Sequence, residues 1–484
     1  MKKINLTLVN IWKFPMQTPH FGLTSLAAYV RQELPHINIK IIEGLNPYQQ
    51  ILKSRPDIIG FTSDTLVYNQ TIKLACKLKK KTKIPFIIGG VHVTALPESL
   101  HPIFKLATIG EGELTLVEIL KKFTNKTLSF KNLKKINGLA FYHYRKLILT
   151  PPRKLIKNIN TLPFPARHLT PMNKYYLKNQ LNLFGVKRLA TVMTSRGCPY
   201  KCIFCGSPVQ WKTIRFYSPE RVVKEIKFLI KTYNIDGIMF WDDFFIAPQT
   251  RLKTLVRLIR KEKLHKKITF LGYARANLIN LSTVKLLKSM NVKRLIYGLE
   301  SGSPKILRKL KQNTVTIADN RRSIKLCRQY GIATSSGYIT GTPGETLADL
   351  KKTYQFMKIH PLDNTQIYIL TPYPGTAIWQ TAIKQGLVSL NMDFDKLFVQ
   401  LPPLSPLDFL KKNKPEIIKG RVFLNTKYKN NQEYLDLIFK MQKFAFWQNL
   451  KFYLRTAIQE PRLPLKLLTK KINPQWTFSS TALL

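Results

Sequence analysis

The chain has 484 residues, of which 79 are Lys or Arg and 26 are Asp or Glu, so its formal net charge is +53. Hydrophobic residues make up 44% of the sequence, which is typical of globular domains and excludes a fibrous or disordered chain. No apolar run approaches the roughly 20 residues that a membrane span needs, and the strand-like residues 1–10 are too short for a signal peptide. We therefore expect an intracellular protein of two or three domains.

The positive charge has several interpretations. Lysine is spread over all regions of the sequence, so a general enrichment in lysine competes with an RNA or DNA partner, an anionic membrane surface and an anionic substrate. The densest run, residues 77–83, lies at the end of a predicted helix, where positive charge is favourable.

Residues 1–125 alternate between predicted strands and helices, which indicates a separate α/β domain. The predicted strands are 4–9, 38–42, 57–62, 85–90 and one beginning at 106, and the predicted helices are 22–34 and 69–81. Glycines follow the strand ends at Gly89, Gly90, Gly110 and Gly112. Ligands bind at such ends in open parallel sheets.

Residues 126–185 are predicted to form a linker that folds onto the next domain. Residues 136–143 and 146–150 suggest a small hairpin within it, and residues 162–168 form an extended proline segment. The domain that follows covers residues 186–390. Residues 391–484 form a mostly helical C-terminal region that begins with a proline-rich stretch at 401–406.

Three of the five cysteines, Cys198, Cys202 and Cys205, share one loop with C-x3-C-x2-C spacing. Three thiolates can hold three irons of a 4Fe-4S cluster and leave the fourth iron open to a small molecule. A structural zinc site would need a fourth Cys or His nearby, and no second C-x2-C follows. A disulfide is less consistent with a chain that has few cysteines and no secretory signal.

The region after this loop continues as alternating strands and helices. Six strand segments are predicted, at 189–194, 237–241, 268–275, 292–302, 333–345 and 364–376. Ser218 and Pro219 mark the start of the first helix, as a cap and a first-turn proline. Such a pattern predicts an α/β barrel with its chemistry at the carboxyl ends of the strands.

With Phe204 directly before its last cysteine, the loop resembles the signature of the radical S-adenosylmethionine (SAM) enzymes. The resemblance implies a partial (βα)6 barrel in which SAM binds the open iron and is cleaved to methionine and a 5'-deoxyadenosyl radical. That radical abstracts hydrogen from unactivated carbon. The chemistry needs a dry cavity, a reducing compartment such as the cytoplasm, and an electron donor such as flavodoxin or ferredoxin.

The resemblance also implies residues that hold the methionine part of SAM. Asp242 or Asp243 would accept a hydrogen bond from the ammonium group, and Arg275 would pair with the carboxylate. Alternatively, the two aspartates cap the following helix, and Arg275 forms an internal ion pair with Glu300.

Two further positions are implied at the nucleoside end of SAM. Glu300 would bind the ribose hydroxyls, and the turn from Gly341 to Glu345 would let the backbone approach the adenine. The alternative for Glu345 is a capping box at the start of the next helix.

The first domain resembles the cobalamin-binding domain that precedes the barrel in one large radical SAM subfamily. The resembling segments are residues 22–28, 57–63, 89–97 and 110–113, and the glycines at 89, 90, 110 and 112 would contact cobalamin. The Asp-x-His-x-x-Gly motif that supplies an axial histidine in many cobalamin proteins is absent. His92 is either a loop residue near the corrin or a structural histidine with satisfied hydrogen bonds.

Together these resemblances imply cobalamin-dependent methyl transfer to an unactivated carbon of a small-molecule or lipid-like substrate. The alternatives are radical cyclisation or rearrangement of a porphyrin, lipid or natural-product scaffold, an RNA-modifying enzyme, and a non-catalytic cobalamin or SAM sensor. A nucleic-acid substrate is disfavoured because the tRNA methylthiotransferases carry three more cysteines, whereas Cys76 stands alone in the first domain. Residues 444–455 form either an interfacial helix, which would favour membrane association, or a core helix.

Overall fold

The computed structural model describes residues 4–12, 18–176, 184–397 and 421–459. Its first sheet has the strand order β2-β1-β3-β4-β5-β6-β7, with the first five strands parallel and the last two antiparallel. The strands are β1 (Ile4–Ile11), β2 (Ile37–Gly44), β3 (Ile58–Thr62), β4 (Phe86–Gly89), β5 (Leu106–Thr108), β6 (Leu139–His143) and β7 (Lys146–Leu149). The helices of this unit are α1 (Phe21–Glu33), α2 (Tyr48–Lys53), α3 (Tyr68–Lys79), α4 (Val91–Ala95), α5 (Gly112–Thr124) and α6 (Phe130–Leu133).

The predicted hairpin is present, but it extends the first sheet instead of folding onto the barrel. Ala107 of β5 pairs with Ala140 of β6, and Leu139 and Phe141 are buried in the core beneath the sheet. The short strand β5 would otherwise leave an unpaired edge, which the hairpin covers. The first unit therefore reaches Leu149, beyond the expected boundary at 125.

The second unit is a six-stranded sheet in which every strand is parallel to its neighbours, as predicted. Its strands, in order across the sheet, are β8 (Leu189–Val192), β11 (Gly237–Phe240), β12 (Thr269–Ala274), β13 (Val292–Glu300), β14 (Ala333–Thr340) and β15 (Asn364–Ile369). A separate two-residue ladder, β9 (Ser195–Arg196) with β10 (Arg215–Phe216), flanks the cysteine loop.

The second unit contains a further set of helices, most of which follow a strand of its sheet. They are α7 (Met172–Tyr176), α8 (Ser207–Gln210), α9 (Pro219–Tyr233), α10 (Gln249–Lys261), α11 (Leu281–Ser289), α12 (Pro304–Lys311), α13 (Ile317–Gln329), α14 (Leu347–Ile359), α15 (Ala377–Lys384) and α16 (Gln432–Gln459). Helix α9 starts as predicted, because the Ser218 side chain accepts a hydrogen bond from the backbone N–H of Arg221. Asn234 ends it in the left-handed conformation.

The two faces of the barrel strands have different environments. Ile238 and Phe240 of β11 face the large core between the sheet and its helices. Met239, between them, faces the barrel interior with Leu271, and the partly buried Trp241 and Tyr273 pack against this inner cluster. This alternation is the period of two expected of a strand that is covered on both faces.

Helix α16 confirms the predicted C-terminal helix and lies against β15 and α14. Tyr434 and Met441 on its inner face are fully buried. The predicted proline-rich stretch at 401–406 lies outside the described residues. In the described part of the chain, no helix combines the length and the apolar character needed to cross a membrane.

Candidate functional site

The cysteine loop begins directly after β8 and β9, and Asp242 fixes this start. The carboxylate accepts hydrogen bonds from the Thr194 backbone N–H at 2.5 Å and from the Ser195 hydroxyl at 2.9 Å. Asp242 is 1% exposed, and burial raises its pKa to about 6. The Asp242 oxygens are thus engaged by the start of the loop, and the contact of either aspartate with a ligand ammonium stays a prediction.

Asp243 is the aspartate that faces the cysteine loop. It accepts a hydrogen bond from Ser207 Oγ at 2.5 Å, and its charge acts on the thiols of Cys198 and Cys205. Burial raises the pKa of Asp243. Helix capping by the aspartates is wrong, because α10 begins at Gln249 after Pro248.

Two of the three loop thiols, Cys202 and Cys205, accept hydrogen bonds from neighbouring groups. Arg275 Nη1 donates to Cys202 Sγ at 3.3 Å, and the Ser207 backbone N–H donates to Cys205 Sγ at 3.4 Å. Burial raises the pKa of Cys198 to about 11 and that of Cys205 to about 12, so iron binding has to displace protons. Hydrogen bonds to sulfur tune thiolate-bound iron, and the loop therefore fits a cluster.

Within the described ranges, no group of three or more His, Cys, Asp or Glu side chains is arranged to hold one ion. In a cluster each cysteine binds a different iron, so the three sulfurs are spread more widely than around a single ion.

Arg275, which follows β12, contacts the cysteine loop. Its guanidinium lies 3.6 Å from the ring centre of Tyr200, a stacking geometry that fixes its plane. The expected alternative, an ion pair between Arg275 and Glu300, is wrong, because Glu300 binds Lys311 Nζ at 2.7 Å. The role of Arg275 toward a ligand carboxylate stays a prediction.

Glu300 ends β13 with a backbone φ of +60°, a strained value for a residue with a side chain. A Cβ at Gly298 would lie 1.9 Å from Glu300 Oε1, so the glycine makes room for this carboxylate. Its partner Lys311 also lies 5.4 Å from the ring centre of Phe204 in the cysteine loop. Glu300 thus lies close to the cysteine loop, and its role toward the ribose stays a prediction.

The turn from Gly341 to Glu345 is tied to the C-terminal region. Gly341 has φ +78°, and a Cβ there would meet the Phe423 ring at 2.9 Å. Its N–H donates to Glu345 Oε2 at 2.8 Å, and Tyr434 Oη donates to the same oxygen. The capping box of α14 uses Thr346 and Asp349, so the expected box with Glu345 is wrong.

A buried carboxylate of this kind makes stability depend on pH. Burial raises the pKa of Glu345 to about 7 from 4.5, so the native state binds the extra proton in this window. The free energy of unfolding should therefore fall by about 3 kcal/mol as the pH rises from about 4.5 to about 7. We expect Glu345→Gln to remove this component, measured as the wild-type minus variant difference in urea unfolding at several pH values. A difference that is flat with pH would contradict it.

The four glycines of the first domain, at positions 89, 90, 110 and 112, lie at the carboxyl edge of its sheet, which we call the glycine edge. Gly90 has φ +102°, and a Cβ there would meet Ser63 O at 2.6 Å. A Cβ at Gly89 would meet Thr108 Oγ1 at 2.4 Å, and one at Gly112 would meet Leu26 at 3.0 Å. Gly110, with φ +82°, faces open space. Close packing within the domain therefore explains Gly89, Gly90 and Gly112, whereas Gly110 faces open space; the contact of these glycines with cobalamin stays a prediction.

His92 is a structural histidine, which decides between the two alternatives. Its Nδ1 lies 3.1 Å from Thr65 Oγ1 and its Nε2 lies 3.0 Å from Ser99 Oγ. The ring stacks on Tyr68 at 3.9 Å between centres, and burial lowers its pKa to about 3. With both ring nitrogens engaged, His92 is not available to a metal.

Sequence reasoning missed a set of buried ion pairs between the two units. Arg196 binds Glu111 at 2.8 Å and Glu113 at 2.7 Å, and Arg215 binds Glu111 at 2.9 Å. In the sequence the two glutamates stand out only as members of segment 110–113, which resembles part of a cobalamin-binding domain. A sequence signal existed, because Arg196 stands two residues before Cys198, but no pattern in the sequence pairs it with a residue more than 80 positions away.

Comparison with known proteins agrees with both units. The radical SAM superfamily model matches residues 192–357, and the B12 binding domain model matches residues 8–120. An uncharacterised methyltransferase of Pyrococcus horikoshii is 34% identical over 401 residues, which are 80% of this chain and 83% of the relative. The chain belongs to the radical SAM superfamily, with a B12-binding domain ahead of its barrel.

Relatives with named activities are more distant. The anaerobic magnesium-protoporphyrin IX monomethyl ester cyclase of Rubrivivax gelatinosus is 26% identical, over 80% of this chain and 71% of its own. Among solved structures, the radical SAM methyltransferase TsrM of Kitasatospora setae has a TM-score of 0.65 at 18% identity, over 79% of this chain and 76% of that one. The cobalamin-dependent radical SAM enzyme OxsB has a TM-score of 0.67 at 19% identity, over 95% and 73%. These two structures share the fold.

Proposed function

We propose that the protein is a cobalamin-dependent radical SAM methyltransferase that methylates an unactivated carbon of a small-molecule or lipid-like substrate. The observation that carries this proposal is that the glycine edge of the first unit lies close to the cysteine loop of the second. A Cβ at Gly375, in the barrel, would touch both Val209 of α8, behind the cysteine loop, and Ala95 of α4, behind Gly90. The expected corrin edge and the expected cluster loop thus flank one junction.

The bound groups would supply the reactive chemistry: the cluster gives the electron that cleaves SAM, and cobalamin gives the methyl group. The three loop cysteines would hold the cluster. Asp243, Arg275 and Glu300 would orient SAM, and their partners Ser207, Tyr200 and Lys311 would hold these side chains in place. The reducing conditions that the cluster needs make the cytoplasm the proposed setting.

The barrel interior supports a substrate with a flat or apolar face. Trp241 and Tyr273 meet edge to face with ring centres 5.7 Å apart, and Ile296 packs nearby. Burial raises the pKa of Tyr273, yet its side chain keeps some accessible surface. Trp241 and Tyr273 pack on the inner face of the sheet, and aromatic side chains in such a place suit ring systems or lipid chains.

The experiment that tests the function follows the products of SAM. Reduced, fully loaded protein should convert SAM to both 5'-deoxyadenosine and S-adenosylhomocysteine, because methylation of cobalamin consumes a second SAM. The relative named as a cyclase favours radical cyclisation as a second candidate, which would form 5'-deoxyadenosine without S-adenosylhomocysteine. Formation of neither product would contradict both candidates and indicate a sensor.

We propose two further kinds of partner. Lys201 lies exposed beside Cys202, which suits docking of an acidic electron donor such as flavodoxin or ferredoxin.

One face of α16 exposes Lys440, Lys443 and Lys451 together with Trp447, which is 49% exposed. Cations that flank an exposed indole fit an anionic membrane surface. The opposite face of α16 packs on the barrel. In this proposal the helix is therefore a core helix on one face and an interfacial helix on the other.

The membrane interaction gives a matched pair of variants. We expect K443E/W447A/K451E to lower partition onto vesicles of phosphatidylglycerol and phosphatidylcholine at least about tenfold, since each juxtamembrane cation contributes about 1 kcal/mol. The control K224E/F228A/K231E makes the same charge change around Phe228, an exposed aromatic residue of α9, and should bind like wild type. Equal losses in both variants, measured by sedimentation, would show that only the overall charge matters.

A further inference from the structure

A buried charge cluster joins the two units beside both expected cofactor sites. Arg196 is 4% exposed, and Glu111 and Glu113 are 5% and 4% exposed. The guanidinium places Nη1 on Glu111 and Nη2 on Glu113, at 2.8 and 2.7 Å. One arginine thus bridges two carboxylates across the junction, a geometry that a planar fork of donors allows.

A second arginine, Arg215, balances the negative charge of the two glutamates and adds hydrogen bonds to this buried charge cluster. Arg215 donates to Glu111 Oε2 at 2.9 Å and to the Ile156 carbonyl at 2.8 Å. The Trp211 ring lies 5.6 Å from the Arg196 guanidinium and 5.4 Å from that of Arg215. Although burial alone would raise the pKa of Glu111, Arg215 and Arg196 lower it overall. All four charges therefore compensate one another away from water.

The buried charge cluster is joined to each expected cofactor site by a short, constrained stretch of backbone. Glu111 directly follows Gly110, whose open side belongs to the glycine edge. Arg196 directly precedes Gly197, which has φ +92° and whose Cβ would meet Thr213 O at 2.7 Å. Cys198 comes next. Because a buried ion pair cannot open without leaving uncompensated charge, the turn at 110–113 and the cysteine loop cannot move independently.

We propose that Arg196 is a positioning residue that couples the two cofactor sites, so that binding of either cofactor raises the affinity for the other. This inference rests on the proposed function, since it needs both sites to be real. When the iron-sulfur cluster binds, the cysteine loop becomes ordered and Arg196 is held in place. Arg196 in turn holds Glu111 and Glu113 beside the glycine edge. A ligand that meets an already ordered edge loses less conformational entropy on binding.

The test compares the dissociation constant of hydroxocobalamin in cluster-loaded protein and in protein freed of its cluster by chelation. We expect binding to be at least about fivefold tighter in the loaded form, the lower end of usual coupling between sites. In Arg196→Lys the two constants should converge, because an ammonium is a point donor that cannot bridge two carboxylates. Glu113→Gln provides a second variant that keeps the pair between Arg196 and Glu111.

A matched control separates coupling from stability. Arg167 is also buried and binds Glu225 at 2.8 Å, but its guanidinium donates to Glu225 and the Thr191 carbonyl and not to the turn at 110–113 or the cysteine loop. Arg167→Lys should lower the melting temperature yet keep the fivefold difference. The signal of the reduced cluster in electron paramagnetic resonance should likewise change on adding hydroxocobalamin in wild type and in Arg167→Lys, but not in Arg196→Lys.

The outcomes distinguish this inference from the proposed function. Equal constants in the two wild-type forms, or convergence in Arg167→Lys as complete as in Arg196→Lys, would overturn the role of Arg196 while both cofactors still bind. Failure of wild-type protein to bind either cofactor would instead contradict the proposed function.

Discussion

Protein in which Cys198, Cys202 and Cys205 are all replaced by Ala is expected to hold no cluster and to form no 5'-deoxyadenosine from SAM. These are the three thiols that share one loop, and each would bind a different iron. Bound iron should fall from about four atoms per chain to background after anaerobic reconstitution. Iron analysis and chromatography of the SAM products measure the two effects.

Cys76 provides the control for this change. It lies on α3 in the first unit, away from the cysteine loop, so Cys76→Ala should retain full iron and full SAM cleavage. Iron retained by the triple variant, or lost equally in Cys76→Ala, would contradict the assignment of the cluster to the loop.

Gly90→Ala is expected to weaken binding of hydroxocobalamin by at least about tenfold. A Cβ at this position would lie 2.6 Å from Ser63 O and 2.8 Å from Ser63 N, and backbone atoms cannot yield as a flexible side chain can. The positive φ adds strain for alanine. The ends of β3 and β4 would have to separate, which distorts the edge where the corrin is expected. Titration followed by the visible spectrum gives the dissociation constant.

The matched control is Gly44→Ala at the end of β2, where a Cβ would meet nothing within 4 Å. It should bind hydroxocobalamin like wild type. Iron content should stay unchanged in both variants, because the cysteine loop lies in the other unit and its own hydrogen bonds are intact. Wild-type affinity in Gly90→Ala would contradict the placement of the corrin at this edge.

Local sequence signals predicted the elements well because they depend on neighbouring residues. Buried parallel strands appear as short apolar runs, and all six barrel strands were found in this way. The start of α9 follows from Ser218 and Pro219, whose effects act within one helical turn. The placement of the hairpin was missed because it depends on the unpaired edge of β5, which no local pattern reveals.

The site was predicted in its composition but not in its pairings. Asp242 and Asp243 are adjacent in sequence, but Asp242 binds Thr194 and Ser195 before the cysteines whereas Asp243 binds Ser207 after them, and only the tertiary fold decides these partners. Arg275 reaches Cys202 over 73 positions, and Tyr434 reaches Glu345 over 89. Such contacts are products of the tertiary fold, and a single sequence contains no signal that pairs their members.

The most direct test of the central claim is anaerobic reconstitution with iron, sulfide and hydroxocobalamin, followed by metal analysis and the visible spectrum. The proposed function predicts about four iron atoms and about one cobalt atom per chain, with weaker binding of hydroxocobalamin in Gly90→Ala and loss of iron in the triple cysteine variant. Iron without cobalt would leave a radical SAM enzyme whose first domain serves another ligand. Protein that binds no cluster would contradict the claim itself.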